Sequence, residues 1–520
     1  MILIRVNDIS NNYLERNTIL IYSPHLFKIE SDNLFKILSR IMFMNDIGND
    51  KESLINDVEV DTAHAKQSTG SMVSYGMADL LWQLFNGIYG GLFFLFWEVV
   101  VKLDIWIITL AYTIFAIWNI INDPFFGYLA DRPRKFWVRL GKRYPWFVIG
   151  GIPTILFLAA IFSPPNLDPV DAAWIYFAWI LISTCLYELF YTITNLNHVA
   201  LYPDKFRLDS DRRKSGFWRM FLAILGTAIG FIVPPLLIDE TEASSFTSMA
   251  WIFVIINLVV FAASIPGHRE SKYLKERYGK EQEKKDSVSF FQALKIVITH
   301  KNFMVVILVF LMDGIIGASL TASIQYVALY ILGGETGDAI LILAPFILAV
   351  IVSLIPWYFI SQKMKNNRKM FIIGVLFNTM GLLPFMFVQN TLGFIIAALI
   401  LGIGGGAFRI SSQPVLADAI DEAVVDSGKH IEGSFMGVYT FFIRFSLVAQ
   451  GLIFAITHTL TQFDPLASIQ SDLAKFGIRM HTALIPMILT LIALVVFILV
   501  HDLKPEKTRI IKEKLKELNL

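Results

Sequence analysis

The sequence predicts an all-α membrane protein with twelve transmembrane helices in two six-helix bundles. Three observations carry this. The 520 residues are 55% hydrophobic and only 17% charged, whereas soluble domains carry about a quarter charged residues. Long apolar segments recur from Met72 onward, and each approaches or exceeds the ~20 residues that cross a bilayer. One polar stretch, Gly267 to Ser287, holds seven basic and five acidic residues and divides the segments six and six.

Residues 1–70 are polar and rich in Asn, Ile and Asp, with no sustained helical period. No secretory signal is expected at Met1, because Arg5 and polar sequence follow at once. The segment reads as a disordered extension or as an early start outside the fold. Residues 71–266 form the N-terminal bundle, with helices expected at about 73–101, 105–130, 146–163, 171–202, 214–238 and 247–266. Residues 267–300 form a cytosolic linker whose charge pattern suits a solvated surface helix. Residues 301–501 form the C-terminal bundle, with helices at about 302–333, 338–361, 370–388, 391–417, 433–461 and 480–501. In the tail, 502–520, Ile510, Ile511, Leu515 and Leu518 alternate with lysines, which suits either the inner leaflet or a solvated helix.

Basic residues in short loops set orientation. Loop 131–145 carries six, loop 203–214 five and loop 362–369 four, against three on the opposite side: Lys102, Lys475 and Arg479. Both termini are therefore expected in the cytosol, with the chain in the plasma membrane.

Other classes lose support. A formal net charge of +1 lacks the basic excess of a nucleic-acid binder. The single cysteine, Cys185, leaves no disulfide framework. No His/Cys/Asp cluster has metal spacing. No nucleophile–base pair is visible, so an enzyme is not expected. The run Gly402-Ile403-Gly404-Gly405-Gly406 has no strand before it and no Lys-Ser/Thr after it, so its glycines are read as allowing close helix packing.

Charges inside the apolar runs are the candidates for function, because burial there is costly unless a partner or a watery cavity exists. Asp123 lies eight residues from Asp131, about 12 Å of helix, well below the headgroups. Asn119, four residues earlier, shares its helix face. Arg444 and Arg409 should lie near the midplane. Arg219 is shallower and could snorkel. Asp313 and Glu188 read as a relay or as packing partners. His198 reads as an ordinary polar residue. Two six-helix halves around such a cavity are the architecture of an alternating-access carrier. With no ATPase motif, an ion gradient or the solute's own gradient must drive it.

Two stretches resemble a known family. Asn122-Asp123-Pro124, Gly127, Asp131-Arg132, Arg134 and Gly141 to Trp146, with Leu416 to Asp421, Gly428, Glu432-Gly433 and Tyr439 to Arg444, resemble the signatures of glycoside–pentoside–hexuronide:cation symporters. This is the melibiose-carrier type of the major facilitator superfamily. The resemblance implies the major facilitator fold and cation-coupled uptake of a sugar, glycoside or hexuronide-like solute by a monomer. It implies a cation site at Asp123, Asn119 and Asn122. The family's second Asp is replaced there by Asn119, which favours a proton over sodium. It implies solute contacts at Gln83, Asn195, Arg219, Arg409 and Arg444. Gln83 and Asn195 stand where the family has acids, and Val199 where it has a stacking Trp. Lost anions and added arginines favour an anionic solute. Relatives of this fold move amphipathic solutes, so a lysolipid is the alternative, favoured by an aromatic, laterally open cavity. A non-transporting sensor would need a signalling domain, for which only 1–70 is available. The resemblance also implies a cytosolic gate in which Asp131, Arg132, Arg134, Lys135 and Arg139 meet Asp418, Asp421, Asp426 and Glu432.

Overall fold

The structure, a computed structural model, describes residues 66–131, 137–272, 274–275, 297–427 and 432–517. Among the described residues twelve helices are long and apolar enough to cross a membrane. In the first half these are α1 (Thr69–Phe94, continued by a π-helical turn Leu95–Val100), α2 (Ile105–Asp131), α3 (Tyr144–Ile161), α4 (Ala173–Lys205), α5 (Asp209–Ile232) and α6 (Ala243–His268). The second half has α7 (Lys301–Tyr326, with a π turn Val327–Ile331), α8 (Ile340–Met364), α9 (Asn367–Met380) and α10 (Thr391–Ser427). It ends with α11 (Glu432–Ile443 and Phe445–Leu460, interrupted at Arg444) and α12 (Asp472–Arg479, a π turn Met480–Leu484, then Ile485–Val500). A thirteenth helix, α13, follows at Pro505–Glu517. Below, the basic end is the one carrying loops 131–145 and 362–369, and the distal end is its opposite.

Local chemistry starts several helices. Ser68, Asn366 and Ser471 accept backbone hydrogens of Ser71, Lys369 and Ala474 at 3.0–3.1 Å, the capping pattern of helix N-termini. At α3 the cap comes from the linker: the Glu270 carboxylate accepts from the amides of Lys142 (3.0 Å), Arg143 (2.6 Å) and Tyr144 (2.9 Å). Gly141, at φ +105°, fits beneath it because an added Cβ would lie 2.6 Å from the Glu270 carboxyl carbon.

Glycine sets the helix spacing within each half. A Cβ on Gly87 of α1 would overlap the Gly230 backbone of α5, and one on Gly402 of α10 would lie 2.5 Å from the Phe346 carbonyl of α8. Small residues at such crossings let backbones touch, the packing that holds helices together in lipid. Outward faces are apolar and exposed, as along Trp251, Ile255 and Val259 of α6 and Leu348, Val352 and Ile355 of α8, which suits a hydrocarbon solvent.

The structure extends several expected elements. α5 begins at Asp209 instead of 214, α10 runs to Ser427 instead of 417, and α12 begins at Asp472 instead of 480. Extended, polar-ended helices carry less hydropathy than their centres, which is why the apolar pattern understated them. Residues 1–65 and 276–296, with the expected extension and most of the linker, lie outside the described residues.

The tail is also corrected. Rather than lying free in solvent, α13 packs on the second half through buried Ile511 and half-buried Leu515, while Ile510 stays exposed. Asp502 accepts from Lys301, Lys507 and Asn302, each at 2.7 Å, and Lys507 also reaches Glu422 at 2.6 Å. Burial raises the Asp502 carboxyl, but these bonds outweigh it and hold the group well below the usual carboxylate range. His501 is buried and stacked on Phe497, with ring centroids 4.3 Å apart. Burial, helped by the nearby Arg368 charge, pushes its imidazole down to about 4.

The undocked imidazole takes a proton near its ordinary value of about 6.5. The docked tail therefore loses stability as pH falls from about 6.5 to about 4, by up to roughly 3 kcal/mol. Asp502 stays ionised in this window and opposes nothing. A spin label at Lys514→Cys in a Cys185→Ser background should become mobile on acidification to about pH 4.5. His501→Gln should abolish that change.

Candidate functional site

Among the described residues, the intramembrane charges read from the sequence fall in three places. The first lies inside the N-terminal half toward the basic end. Arg219 of α5 holds Asp79 of α1 in a two-pronged bond, Nε to Oδ2 at 2.8 Å and Nη2 to Oδ1 at 2.9 Å. His198 of α4 stands 3.5 Å from Asp79 and bonds His268 of α6 at 2.8 Å. The guanidinium lies over the Tyr202 ring at 4.6 Å. Arg219 is therefore committed to an acid rather than snorkelling, and His198 belongs to a buried network.

The second place is at mid-bundle, where the halves meet. Arg444 Nη1 lies 3.4 Å from Glu188 Oε1, a pair between α11 and α4. The α11 helix is interrupted at Arg444 itself. Nearby on α2, Asn122 donates to the Glu188 backbone carbonyl at 3.3 Å. The side-chain oxygens of Asn119 and Asn122 are buried and accept no hydrogen bond among the described residues. Two buried amide oxygens on one helix turn fit an oxygen-ligated alkali cation. The Asp123 side chain lies outside the described ones. Glu188 sits among Tyr89, Tyr112 and Tyr187, whose rings stack at 5.8–6.5 Å.

The third place is a cavity of about 340 Å³ in the seam between α5 of one half and α7, α8 and α10 of the other. Its wall is hydrocarbon and aromatic: Ile224, Phe231, Ile316, Leu343, Phe346 and Ile347. Its polar groups gather toward mid-bundle. Asn378 of α9 donates to Asp313 Oδ1 at 2.7 Å, and Arg409 of α10 lies near enough to act on the Asp313 charge. Arg409 also donates to the Gly405 carbonyl at 3.2 Å. From the cavity an exposed stripe, Arg409, Gln413 and Ala417, continues along α10 toward the basic end. Glu188 and Asp313 thus serve separate sites. Gln83 of α1 accepts from Asn86 at 3.4 Å, and Asn195 and Val199 lie on α4, half-buried and exposed respectively.

At the distal end the halves are bonded together. Trp106 donates to Thr459 (2.9 Å), Thr109 to the Gly451 carbonyl (3.3 Å), Tyr112 to Gln450 (3.1 Å) and Tyr326 to Glu98 (2.7 Å).

At the basic end, two acids of the expected gate have partners within their own half. Asp418 is buried and accepts from Asn367 at 2.7 Å and Lys512 at 3.3 Å, both from its own half. Asp426 lies 4.0 Å from His300, again in its own half. Lys512 reaches Asp418 because α13 docks on α10; most of the loop residues that the two acids are expected to meet lie outside the described residues. Arg139 is exposed, and its backbone carbonyl accepts from Lys275. Asp421 lies on the same face region of α10. Arg132, Arg134 and Lys135, and the side chains of Asp131 and Glu432, lie outside the described residues.

Among the polar residues of these sites that the sequence did not single out are Asp79, Glu98 and Asn378. The signal was present for the two acids, each within an apolar run like Asp313. Asn378 has no charge to mark it.

Comparison with known proteins gives three kinds of likeness. Residues 74–501 match the family model described as MFS/sugar transport protein. Sodium-dependent lysophosphatidylcholine symporter 1 of Xenopus tropicalis is 22% identical over 435 residues, covering 76% of this chain and 79% of that protein. Among solved structures, a D-xylose-proton symporter aligns with TM-score 0.56 at 15% identity, over 84% of this chain and 98% of its own. The nucleoside transporter NupG aligns with TM-score 0.54 at 14% identity, over 84% and 98%. At such identities the structural likeness speaks for the fold alone.

Breaking a buried ion pair at one partner leaves a charge uncompensated, at a cost of about 3 kcal/mol. Arg444→Gln should therefore lower the melting temperature in detergent more than the double substitution with Glu188→Gln. Equal losses would mean that the pair does not couple the halves.

Proposed function

The chain belongs to the MFS/sugar transport protein family, and from that premise we propose that it carries an amphipathic zwitterion, of the lysophospholipid kind, together with a cation. It is a multi-pass membrane transporter of major facilitator fold, and its family and fold are those of transporters, not enzymes. The two halves would open in turn to either side of the membrane. The basic loops would face the cytosol by the charge rule.

The carrying observation is the cavity that combines Asp313, Arg409 and Asn378 with an apolar wall. A guanidinium is suited to a phosphate, which it can bind with two parallel bonds. A carboxylate in the same cavity suits the positive end of the same headgroup. The wall suits a hydrocarbon chain, each buried methylene contributing about 0.8 kcal/mol. The seam is flanked by exposed Leu225 of α5 and Leu348 of α8, so the remainder of a chain can lie toward lipid. The likeness to lysophosphatidylcholine symporters supports the same reading. A sugar is the second reading, favoured by the family's description and by the amide pair of Gln83 and Asn86.

The coupling cation is placed by the same reasoning at Asn119 and Asn122, with the Asp123 carboxylate expected beside them. Amide oxygens ligate an alkali cation but do not take up a proton near neutral pH, which supports sodium at this site. The loss of a second carboxylate at Asn119 argues for a proton, and the assay below separates the two. One cation crossing 100 mV supplies roughly 2.3 kcal/mol, enough for nearly fifty-fold accumulation.

The test is uptake by the purified chain in proteoliposomes, with sodium and proton gradients imposed separately. Lysophosphatidylcholine, lysophosphatidate, a neutral galactoside and a uronate serve as solutes. The zwitterionic lysolipid should accumulate with sodium. Arg409→Ala and Asp313→Asn should each lower its uptake by roughly tenfold or more. Accumulation of the sugar alone, untouched by either substitution, would replace this reading with the second one.

A further inference from the structure

Glu98 is buried at the distal end, 2% exposed, on the π turn that continues α1. Its two oxygens are engaged from the other half. Tyr326 of α7 donates to Oε2 at 2.7 Å, and His458 of α11 bonds Oε1 through Nδ1 at 2.7 Å. His458 Nε2 meets His481 Nε2 of α12 at 3.1 Å, and His481 Nδ1 meets Ser323 Oγ of α7 at 2.6 Å. All five side chains are buried, and Phe454 and Phe463 stack on the imidazoles.

This chain of atoms is satisfied in two proton counts with no heavy atom moved. In one, Ser323 donates to His481 Nδ1, His481 Nε2–H to His458, and His458 Nδ1–H to an ionised Glu98. In the other, Glu98 carries a proton on Oε1 and donates it to His458 Nδ1. His458 Nε2–H then donates to His481, and His481 Nδ1–H to Ser323, whose own hydrogen can turn to a helix carbonyl. Tyr326 donates to Oε2 in both. The second state holds one more proton and no net charge.

The second state is the one that leaves no net charge in the buried chain while the halves are joined. Among the described residues, the titratable groups facing Glu98 are Tyr326 and Tyr330 of α7, His458 of α11 and His481 of α12. Glu240 and Asp464, from the distal loops, add negative field at Tyr330. The guanidinium nearest in sequence, Arg479, donates instead to the carbonyls of Phe385 and Val388. A buried carboxylate with no cation beside it is costly, and one proton removes the cost. When the halves part, water can solvate the carboxylate and the proton can leave.

We propose that Glu98, His458 and His481 form a proton-binding site built across the two halves, loaded when the distal end closes and emptied when it opens. It is a second ion site, apart from Asn119 and Asn122, and it rests on the alternating-access reading. One acid from the first half and two imidazoles from the second make proton occupancy and closure the same event.

The test is a distance across the distal end. Val170, in the loop before α4, and Ile469, in the loop before α12, are 82% and 81% exposed. Spin labels at Val170→Cys and Ile469→Cys in the Cys185→Ser protein report closure by double electron–electron resonance. The closed-to-open ratio should fall as pH rises, by up to about tenfold per pH unit for one proton. Glu98→Gln should remove the pH dependence. Tyr326→Phe, which loses a donor but no titrating proton, should keep it with less closed form throughout. The proposal is overturned if Glu98→Gln titrates like the parent. It also fails if distances ignore pH yet respond to lysophosphatidylcholine with sodium, in which case the carrier reading stands. Distances that ignore pH, lysolipid and sugar alike would sink both.

Discussion

Glu188 and Arg444 approach to 3.4 Å from opposite halves of the molecule, and much else is arranged around that contact. A charge in a low-dielectric interior must be matched or neutralised, and these two find each other only while the halves are together. Arg444 sits at a loosened point of α11, its backbone still helical (φ −65°, ψ −20°) and its N–H 3.3 Å from the Thr440 carbonyl. Asn122 ties α2 to the same turn of α4, which brings the cation-suited oxygens against the ion pair. The cross-half pair and the polar groups of the seam cavity both lie toward mid-bundle.

Rigidity elsewhere confines change to this seam. The glycine contacts of α1 with α5, and of α10 with α8, leave no room for sliding. Each half should then move as a body, because packed interfaces switch between discrete arrangements rather than deform smoothly. The three π turns, Leu95–Val100, Val327–Ile331 and Met480–Leu484, all fall at the distal end. Such wide turns re-aim side chains and recur at functional positions. Here they carry Glu98 and His481 into one buried chain. Helix α1 thus bears an acid near each end, Asp79 and Glu98, nineteen residues or about 28 Å apart. Each is answered by a pair of histidines.

The apolar periodicity made the helices and their division legible, since nothing but lipid or packed helix accommodates such segments. The acids and bases inside them were equally visible: Asp313, Glu188, Arg409 and Arg444 stood out because charge is rare at that depth. Their pairing was not legible. Spacing along one helix says which residues share a face, yet Arg219 with Asp79, or Arg444 with Glu188, joins helices far apart in sequence. The tail misled for a related reason. Its amphipathic pattern asks for an apolar partner without saying whether that partner is lipid or protein.

By itself the sequence determined that this chain is a membrane-spanning bundle of two halves with costly charges inside, because hydrophobic length and charge depth are local properties. The tertiary structure decided which charge answers which. It placed Arg409 in an apolar cavity, gave Asp418 to the docked tail and assembled Glu98 with two histidines from the other half. Those outcomes depend on how helices cross, and crossing is set by packing between surfaces that no single segment contains.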